Sequence, residues 1–334
     1  MKLFLIRHAE TVDNVAGLYA GVRDSVLTNH GVEQADKLGD HLAKTGVRLT
    51  HIFASPLTRT SKTADAIRKA QTDTFTDAVP EIVKVAALIE QDFGYYEGKP
   101  FQARAADSKK TGRELHREKH KDDAGFVDVE SKESMAKRAD QFLEDHLLPL
   151  LTIDKPSAEG SVAVVSHGML LSHLWRRLLL RLPRRSLTIA PEVTTARGDL
   201  VLEHLGGWSN TGYLQLLIRA DGLASGPLTE PTPSDAGKSR STSDTQTLET
   251  PIPPPIEAVA ASVEVGSKRL EINQRPIPSA GDLKMLAGYS TVIKMVDSKQ
   301  HLAGLKRQRG GIGRSAHDEK QKKLDGFFKK QRLD

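Results

Sequence analysis

Short apolar runs alternating with helical periodicities predict an α/β fold, a three-layer α/β/α sandwich around a mostly parallel central sheet. Three observations carry this prediction. Candidate strands at 2–6, 51–54, 162–165 and 213–218 are separated by amphipathic stretches. Two of them, Leu3-Phe4-Leu5-Ile6 and Val162-Ala163-Val164-Val165, are apolar throughout, as buried strands are. The 334 residues include no cysteine, so there is no disulfide framework, no thiol nucleophile and no cysteine-based zinc site.

The elements follow in order. After the first strand, Val32, Ala35, Leu38 and Leu42 recur at helical spacing, with Thr28 as a cap and Gly46 as a stop. The second strand leads into a helix over 57–71. Met135, Ala139, Phe142 and Leu147 mark another amphipathic helix, ended near Pro149. The third strand leads into a helix over 168–181, and the fourth closes residues 1–220.

Residues 221–287 differ in kind. Pro231, Pro233, Pro251 and Pro253-Pro254-Pro255 frame a Ser/Thr-rich stretch that buries too little apolar surface to offset its ordering entropy. This segment is expected to be a disordered insertion. Tyr289-Ser290-Thr291-Val292-Ile293 has strand composition, so 288–305 is expected to rejoin the domain formed by 1–220. Long insertions in a surface loop add little closure entropy. Residues 306–334 are then a basic flexible tail. The segment 299–334 holds eleven Lys and Arg against four Asp and Glu, while the whole chain is only +5. The basic character therefore sits in the tail. The start of the chain is too short in apolar residues for a signal-peptide core or a membrane span. The expected setting is intracellular, in cytoplasm or nucleus, with no membrane and no direct nucleic-acid site.

Two strands end alike. Leu3-Phe4-Leu5-Ile6 runs into Arg7-His8, and Val162-Ala163-Val164-Val165 runs into Ser166-His167-Gly168. In an open α/β sheet the functional crevice lies beyond the carboxyl ends of the strands, so parallel neighbours would bring His8 and His167 together. Leu5-Ile6-Arg7-His8-Ala9-Glu10-Thr11-Val12-Asp13-Asn14 resembles the signature of the histidine phosphatase (phosphoglycerate mutase-like) superfamily, with Ala9 where glycine is usual. Further blocks follow in family order. They are Asp24 to Thr28 with Gly31 and Gln34-Ala35, Ala54-Ser55-Pro56-Leu57-Thr58-Arg59-Thr60, Glu90 to Gly98, and Ser166-His167-Gly168.

The resemblance implies a small phosphorylated substrate, no cofactor and no metal. It implies His8 as nucleophile, His167 as the second catalytic histidine and Glu90 as general acid. Arg7, Asn14, Arg59, His167 and Gly168 would bind phosphate. The chemistry suits these types. Arginine forks match phosphate oxygens, Asn14 donates a neutral hydrogen bond, and Gly168 lets backbone approach closely. A histidine nucleophile must be neutral, which nearby arginines favour. Asp92 is a rival acid. Glu10 and Thr11 orient the loop, and Tyr95 and Tyr96 pack in the core. A surface carboxylate at Glu90 and a solvated helix residue at Arg59 are the bland alternatives.

After Gly98 the chain lacks a mutase-type insert, so hydrolysis is expected over phosphoglycerate-type mutase chemistry. Residues 101–122 read as a polar helix whose Arg104, Lys109, Lys110, Arg113 and Arg117 form a basic lid or merely a solvated face. A non-catalytic phospho-ligand reader is the alternative of a different class. Near the end, Gln321-Lys322-Lys323-Leu324-Asp325-Gly326-Phe327-Phe328 resembles a peptide that binds the sliding clamp (PCNA). Leu324, Phe327 and Phe328 would form an apolar plug, and Gln321 would fill a side pocket. The alternative is that these side chains dock on the protein's own domain.

Overall fold

The computed structural model describes residues 1–101, 112–152, 160–198, 200–221, 284–309 and 311–318. Seven strands form one sheet: β1 (Lys2–Arg7), β2 (His51–Ala54), β3 (Ile82–Lys84), β4 (Ser161–Ser166), β5 (Leu187–Ile189), β6 (Tyr213–Ala220) and β7 (Tyr289–Ser298). Their order is β3-β2-β4-β1-β6-β7-β5. Pairing is parallel from β3 through β2 and β4 to β1 and between β7 and β5, and antiparallel on both sides of β6. The sheet is therefore mostly parallel, as the sequence predicts. The three-residue β3 and β5 are too short to show a period and were not among the expected strands.

The helices are α1 (Val12–Ala16), α2 (Asn29–Lys44), α3 (Thr58–Thr74), α4 (Gly112–His120), α5 (Lys132–Phe142), α6 (Pro149–Thr152), α7 (Gly168–Leu179) and α8 (Pro191–Arg197). Strand alternation divides them into two layers. Leu3 and Leu5 of β1 pack with Met135 and Phe142 of α5 and with Leu170 and Trp175 of α7. Phe4 and Ile6 face the other way, against Leu38 and Leu42 of α2 and Ile67 of α3. Burying each such side chain contributes about 1.5–3 kcal/mol, which makes β1 a double-sided anchor. Thr28 caps α2 by accepting from the Gly31 N–H, and Gly46 just beyond that helix takes a left-handed φ of +72°. Both are the start and stop signals legible in the sequence.

The register of the two central strands positions the site. β1 and β4 pair in step, with Arg7 opposite Ser166. The next residues, His8 and His167, thus leave the same edge of the sheet side by side. The chain after β1 goes to the α2–α3 layer and the chain after β4 goes to the α7 layer, so the crevice opens where the connections diverge.

The chain divides into two units, Met1–Leu223 with Pro276–Asp334 and Ala224–Arg275; the second lies outside the described residues, as does nearly all of the expected insertion. β7 joins the first unit beside β6, and the two strands are already close where they part: the Asp221 N–H donates to the Gly288 carbonyl at 2.7 Å. Contacts continue beyond 305, where the sequence places the start of a free tail. The Asn29 N–H donates to the Ser315 carbonyl at 3.0 Å, the His317 N–H donates to the Leu27 carbonyl at 2.9 Å, and Ala316 bridges Thr28. These bonds satisfy backbone groups around the start of α2 that would otherwise need water. The clamp-like peptide 321–328 lies outside the described residues, and so do Arg104, Lys109 and Lys110 of the expected basic lid. Arg117 pairs with Asp128 at 2.7 Å.

Because β6 and β7 meet directly, replacing 224–283 by a short Gly-Ser turn should leave one cooperative thermal transition, shifted by only a few degrees. Closure entropy changes by roughly 0.6 kcal/mol per doubling of loop length. Loss of the transition would show that the segment contributes to the core.

Candidate active site

His8 is 4 % exposed, and its Nδ1 lies 2.7 Å from the carbonyl oxygen of Ala9. A carbonyl can only accept, so Nδ1 carries the hydrogen and Nε2 keeps its lone pair. Burial pushes the His8 pKa well below the ordinary imidazole value, and the charges of Arg59 and Arg7 push it further. His167 is fully buried, and its ring centroid is 5.1 Å from that of His8. Its Nδ1 accepts from Arg59 Nε at 3.2 Å, so in the neutral ring the hydrogen sits on Nε2. That Nε2 is buried without a partner. Burial, then Arg59, lowers the His167 pKa as well. The two rings thus hold opposite tautomers, one offering a lone pair and the other an N–H.

The two arginines play different parts. Arg7 Nη1 donates to the Trp208 carbonyl at 2.6 Å, while its Nε is buried and unpaired. Arg59 is 1 % exposed. Besides His167 it donates to the carbonyls of Arg23 at 2.9 Å, Ala20 at 3.0 Å and Gly21 at 2.7 Å, with Asp24 at 4.0 Å. The sequence suggests a free fork for phosphate; the structure shows that fork committed to a loop, so Arg59 acts on the site through its charge and its bond to His167. Asn14 Oδ1 accepts from the Thr11 N–H at 3.2 Å and from Asn210 Nδ2 at 3.0 Å, which leaves the Asn14 amide N–H free of these bonds. Asn210 also donates to the His8 carbonyl at 3.2 Å. A Cβ added to Gly168 would meet only Arg7 Nε, at 3.9 Å. Glycine is therefore not required there by packing in the free protein.

Glu90 is 8 % exposed and lies at the N-terminus of α7. Its Oε1 accepts from the N–H groups of Gln91 at 2.9 Å and Leu170 at 3.0 Å, and its Oε2 from that of Met169 at 3.1 Å. His167, the N-cap of α7, makes no side-chain cap bond, so Glu90 caps that helix from another segment. Buried Arg138 holds the approach to Glu90. It donates to the carbonyls of Ala87, Ile89 and Glu90 and pairs with Glu130 at 2.6 Å. Asp92 instead accepts from the Gly94 N–H at 2.7 Å, the geometry of a turn former. Thr11 caps α1, and Tyr96 is fully buried. Among the described residues no group of three or more His, Asp and Glu side chains is placed to hold a metal ion, and no helix is long and apolar enough to cross a membrane.

Several residues that shape the site carry no local sequence signal. The Thr211 N–H donates to the carbonyls of Arg7 and His8 at 3.1 and 3.2 Å from a left-handed φ of 56°. Only the Asn-Thr-Gly turn before β6 hints at it. Glu97 accepts from the N–H groups of Gly21, Val22, Arg23 and Phe93, and so fixes the loop that holds Arg59.

Comparison with known proteins agrees with this geometry. The model of the histidine phosphatase superfamily (branch 1) matches residues 3–196. A probable phosphatase of Schizosaccharomyces pombe is 30% identical over 178 residues, which span 53% of this chain and 56% of that protein. Phosphoserine phosphatase 1 of Hydrogenobacter thermophilus is 31% identical over 179 residues, 54% of this chain and 76% of its own. A probable phosphoglycerate mutase of Erwinia tasmaniensis is 30% identical over 179 residues, with 54% and 75% covered. With a family match over more than half its length, laid on two neighbouring strands that end in facing histidines, the chain belongs to the histidine phosphatase superfamily, branch 1.

Proposed function

We propose that the chain is a phosphomonoesterase that forms a phosphohistidine at His8 and hydrolyses it. The observation that carries this reading is the pair of opposite tautomers beside unpaired, buried Arg7 Nε and His167 Nε2. Buried donors without acceptors cost about 1–3 kcal/mol each, more when charged. A dianionic phosphoryl group supplies the missing acceptors. His8 Nε2 attacks phosphorus, and the bond to the leaving oxygen breaks. Glu90 gives that oxygen a proton from Oε2, the oxygen carrying a single backbone bond. Water then attacks the phosphohistidine and Glu90 takes its proton back. Inorganic phosphate departs, and His8 is restored. Arg7, Arg59 and His167 stabilise charge on the equatorial oxygens throughout.

Wild type is expected to hydrolyse a nitrophenyl phosphate, and His8→Ala to fall to the uncatalysed background. Glu90→Gln should lose roughly 10²–10⁴ in kcat/KM, which reports the steps up to phosphohistidine formation, on phosphoserine but far less on the nitrophenyl ester, whose leaving group needs no proton. Equal losses on both esters would remove Glu90 from the acid role. Absence of turnover across a broad phosphoester panel would remove the enzyme reading.

The acid limb of kcat/KM should lie below pH 6.5, the ordinary imidazole value. A nucleophile whose pKa is depressed stays neutral down to that lower pKa, and activity is lost only as pH falls through it. A His8 ring that titrates at or above pH 6.5 when followed by NMR would contradict the depressed pKa.

Phosphoglycerate-type mutase chemistry is the runner-up, supported by a relative of that name. Release of inorganic phosphate, rather than isomerised ester, from phosphoglycerates decides between them. A second function belongs to the tail: Gln321, Leu324, Phe327 and Phe328 engage a sliding clamp, supported by their spacing within a basic segment. A peptide of residues 317–334 is expected to bind the clamp, and Phe327→Ala with Phe328→Ala to abolish binding. Equal affinity of both peptides would end that proposal.

A further inference from the structure

Glu10, two residues past His8, is 8 % exposed, and the proposed chemistry gives it no part. Its backbone is gripped by α2. The Glu10 N–H donates to Gln34 Oε1 at 3.0 Å, its carbonyl accepts from the Thr28 N–H at 3.0 Å, and a Cβ on Gly31 would come within 2.1 Å of that carbonyl oxygen. Its carboxylate accepts from Thr28 Oγ1 at 2.8 Å and from both terminal nitrogens of Arg307, Nη1 at 2.6 Å to Oε1 and Nη2 to Oε2. This is a fork-to-fork pair, whose two parallel hydrogen bonds fix orientation as well as charge. Burial pushes the Glu10 carboxyl up, and the hydrogen bonds from Arg307 and Thr28 more than reverse that, leaving it below its ordinary value.

Arg307 comes from the far end of the chain, in the segment that crosses the start of α2. The peptide joining Ala9 to Glu10 is the same peptide whose carbonyl receives the His8 Nδ1 hydrogen. A peptide unit is planar, so the Ala9 carbonyl turns together with the Glu10 N–H, which Gln34 holds, and the Arg307 clamp anchors the residue that carries that N–H. We propose that Arg307 is a positioning residue for His8: by clamping Glu10 it aims the Ala9 carbonyl at Nδ1 and so holds the ring in the tautomer that leaves Nε2 open. Without Arg307 a nearly buried carboxylate keeps one hydroxyl partner. An uncompensated charge of that kind relaxes towards water, and the Ala9–Glu10 peptide turns with it. The catalytic loop at the front of the sequence is thus completed by a residue 297 positions later. The catalytic part of the inference rests on the phosphohistidine reading; the tautomer part does not.

The test uses the full-length protein with ¹⁵N-labelled histidine. In wild type the His8 ring is expected to show a protonated Nδ1 and an unprotonated Nε2. Arg307→Ala should populate the opposite tautomer and lower kcat on the order of tenfold to a hundredfold, with KM changed less than about twofold. Arg307→Lys keeps the charge but not the fork, and should recover part of both signals. Gln308→Ala, in the same segment, whose side chain reaches half-buried Glu33 rather than Glu10, should change neither. Arg307→Ala or, if that variant does not fold, Arg307→Lys with the wild-type tautomer population overturns the proposal. So does a matching loss in Gln308→Ala, which would mark a general structural effect. If wild type itself shows no turnover the phosphatase reading fails, and the tautomer comparison still decides this one.

Discussion

Two hydrogen bonds decide what the crevice can do: His8 Nδ1 to the Ala9 carbonyl, and Arg59 Nε to His167 Nδ1. Each uses up one ring nitrogen and dictates the state of the other. The first leaves an imidazole with an open lone pair; the second leaves one with an N–H to offer. Both depend on β1 and β4 pairing with Arg7 opposite Ser166. A slip of one residue would turn each strand's side chains to the opposite face and part the rings. The particular side chains of β1 that pack into a separate layer on each face hold the register.

The same crevice concentrates positive charge where water is scarce. Burial lowers the proton affinity of Arg7 and Arg59 themselves, with Glu90 as the main opposing influence. Among the described residues the one salt bridge either of them makes is the long contact of Arg59 with Asp24, at 4.0 Å. The protein surrounds Arg59 with carbonyl oxygens and sets Glu90 behind the first turn of α7. Carbonyl dipoles offset part of the desolvation and leave the net charge available to an incoming anion. Such a cage needs loops held in place from outside, which is the work of Glu97, Arg138 and Thr211.

What was legible in the sequence was what is local in the chain. An apolar run followed by Arg-His or Ser-His-Gly places a histidine at a strand end, and Thr28 and Gly46 bracket α2 within one helix length. The five residues His8, His167, Arg7, Arg59 and Glu90 do converge. Their hydrogen bonds were less legible, because the partners are distant: Glu97 is 76 positions from Gly21, Asn210 is 196 from Asn14, and Arg307 is 297 from Glu10. Arg59 shows the limit well. Its residue type and position could be read, but whether its fork faces substrate or carbonyls depends on a loop that no periodicity describes. Gly168 shows another, since the close approach that glycine suggested has no counterpart in the free protein's packing.

The place of β7 in the sheet also sets an order of events during translation. β5 pairs with β7 and β6 is flanked by β1 and β7, so a nascent chain that has emerged as far as residue 220 carries two strands with unsatisfied partners. At roughly 5–20 residues per second, the ribosome needs several more seconds to deliver Tyr289–Ser298. Through that interval an open sheet edge is available to other chains, the situation that leads to strand-to-strand aggregation. Arg307 emerges later still. A stalled or truncated polypeptide would therefore carry both histidines on a sheet that still lacks β7.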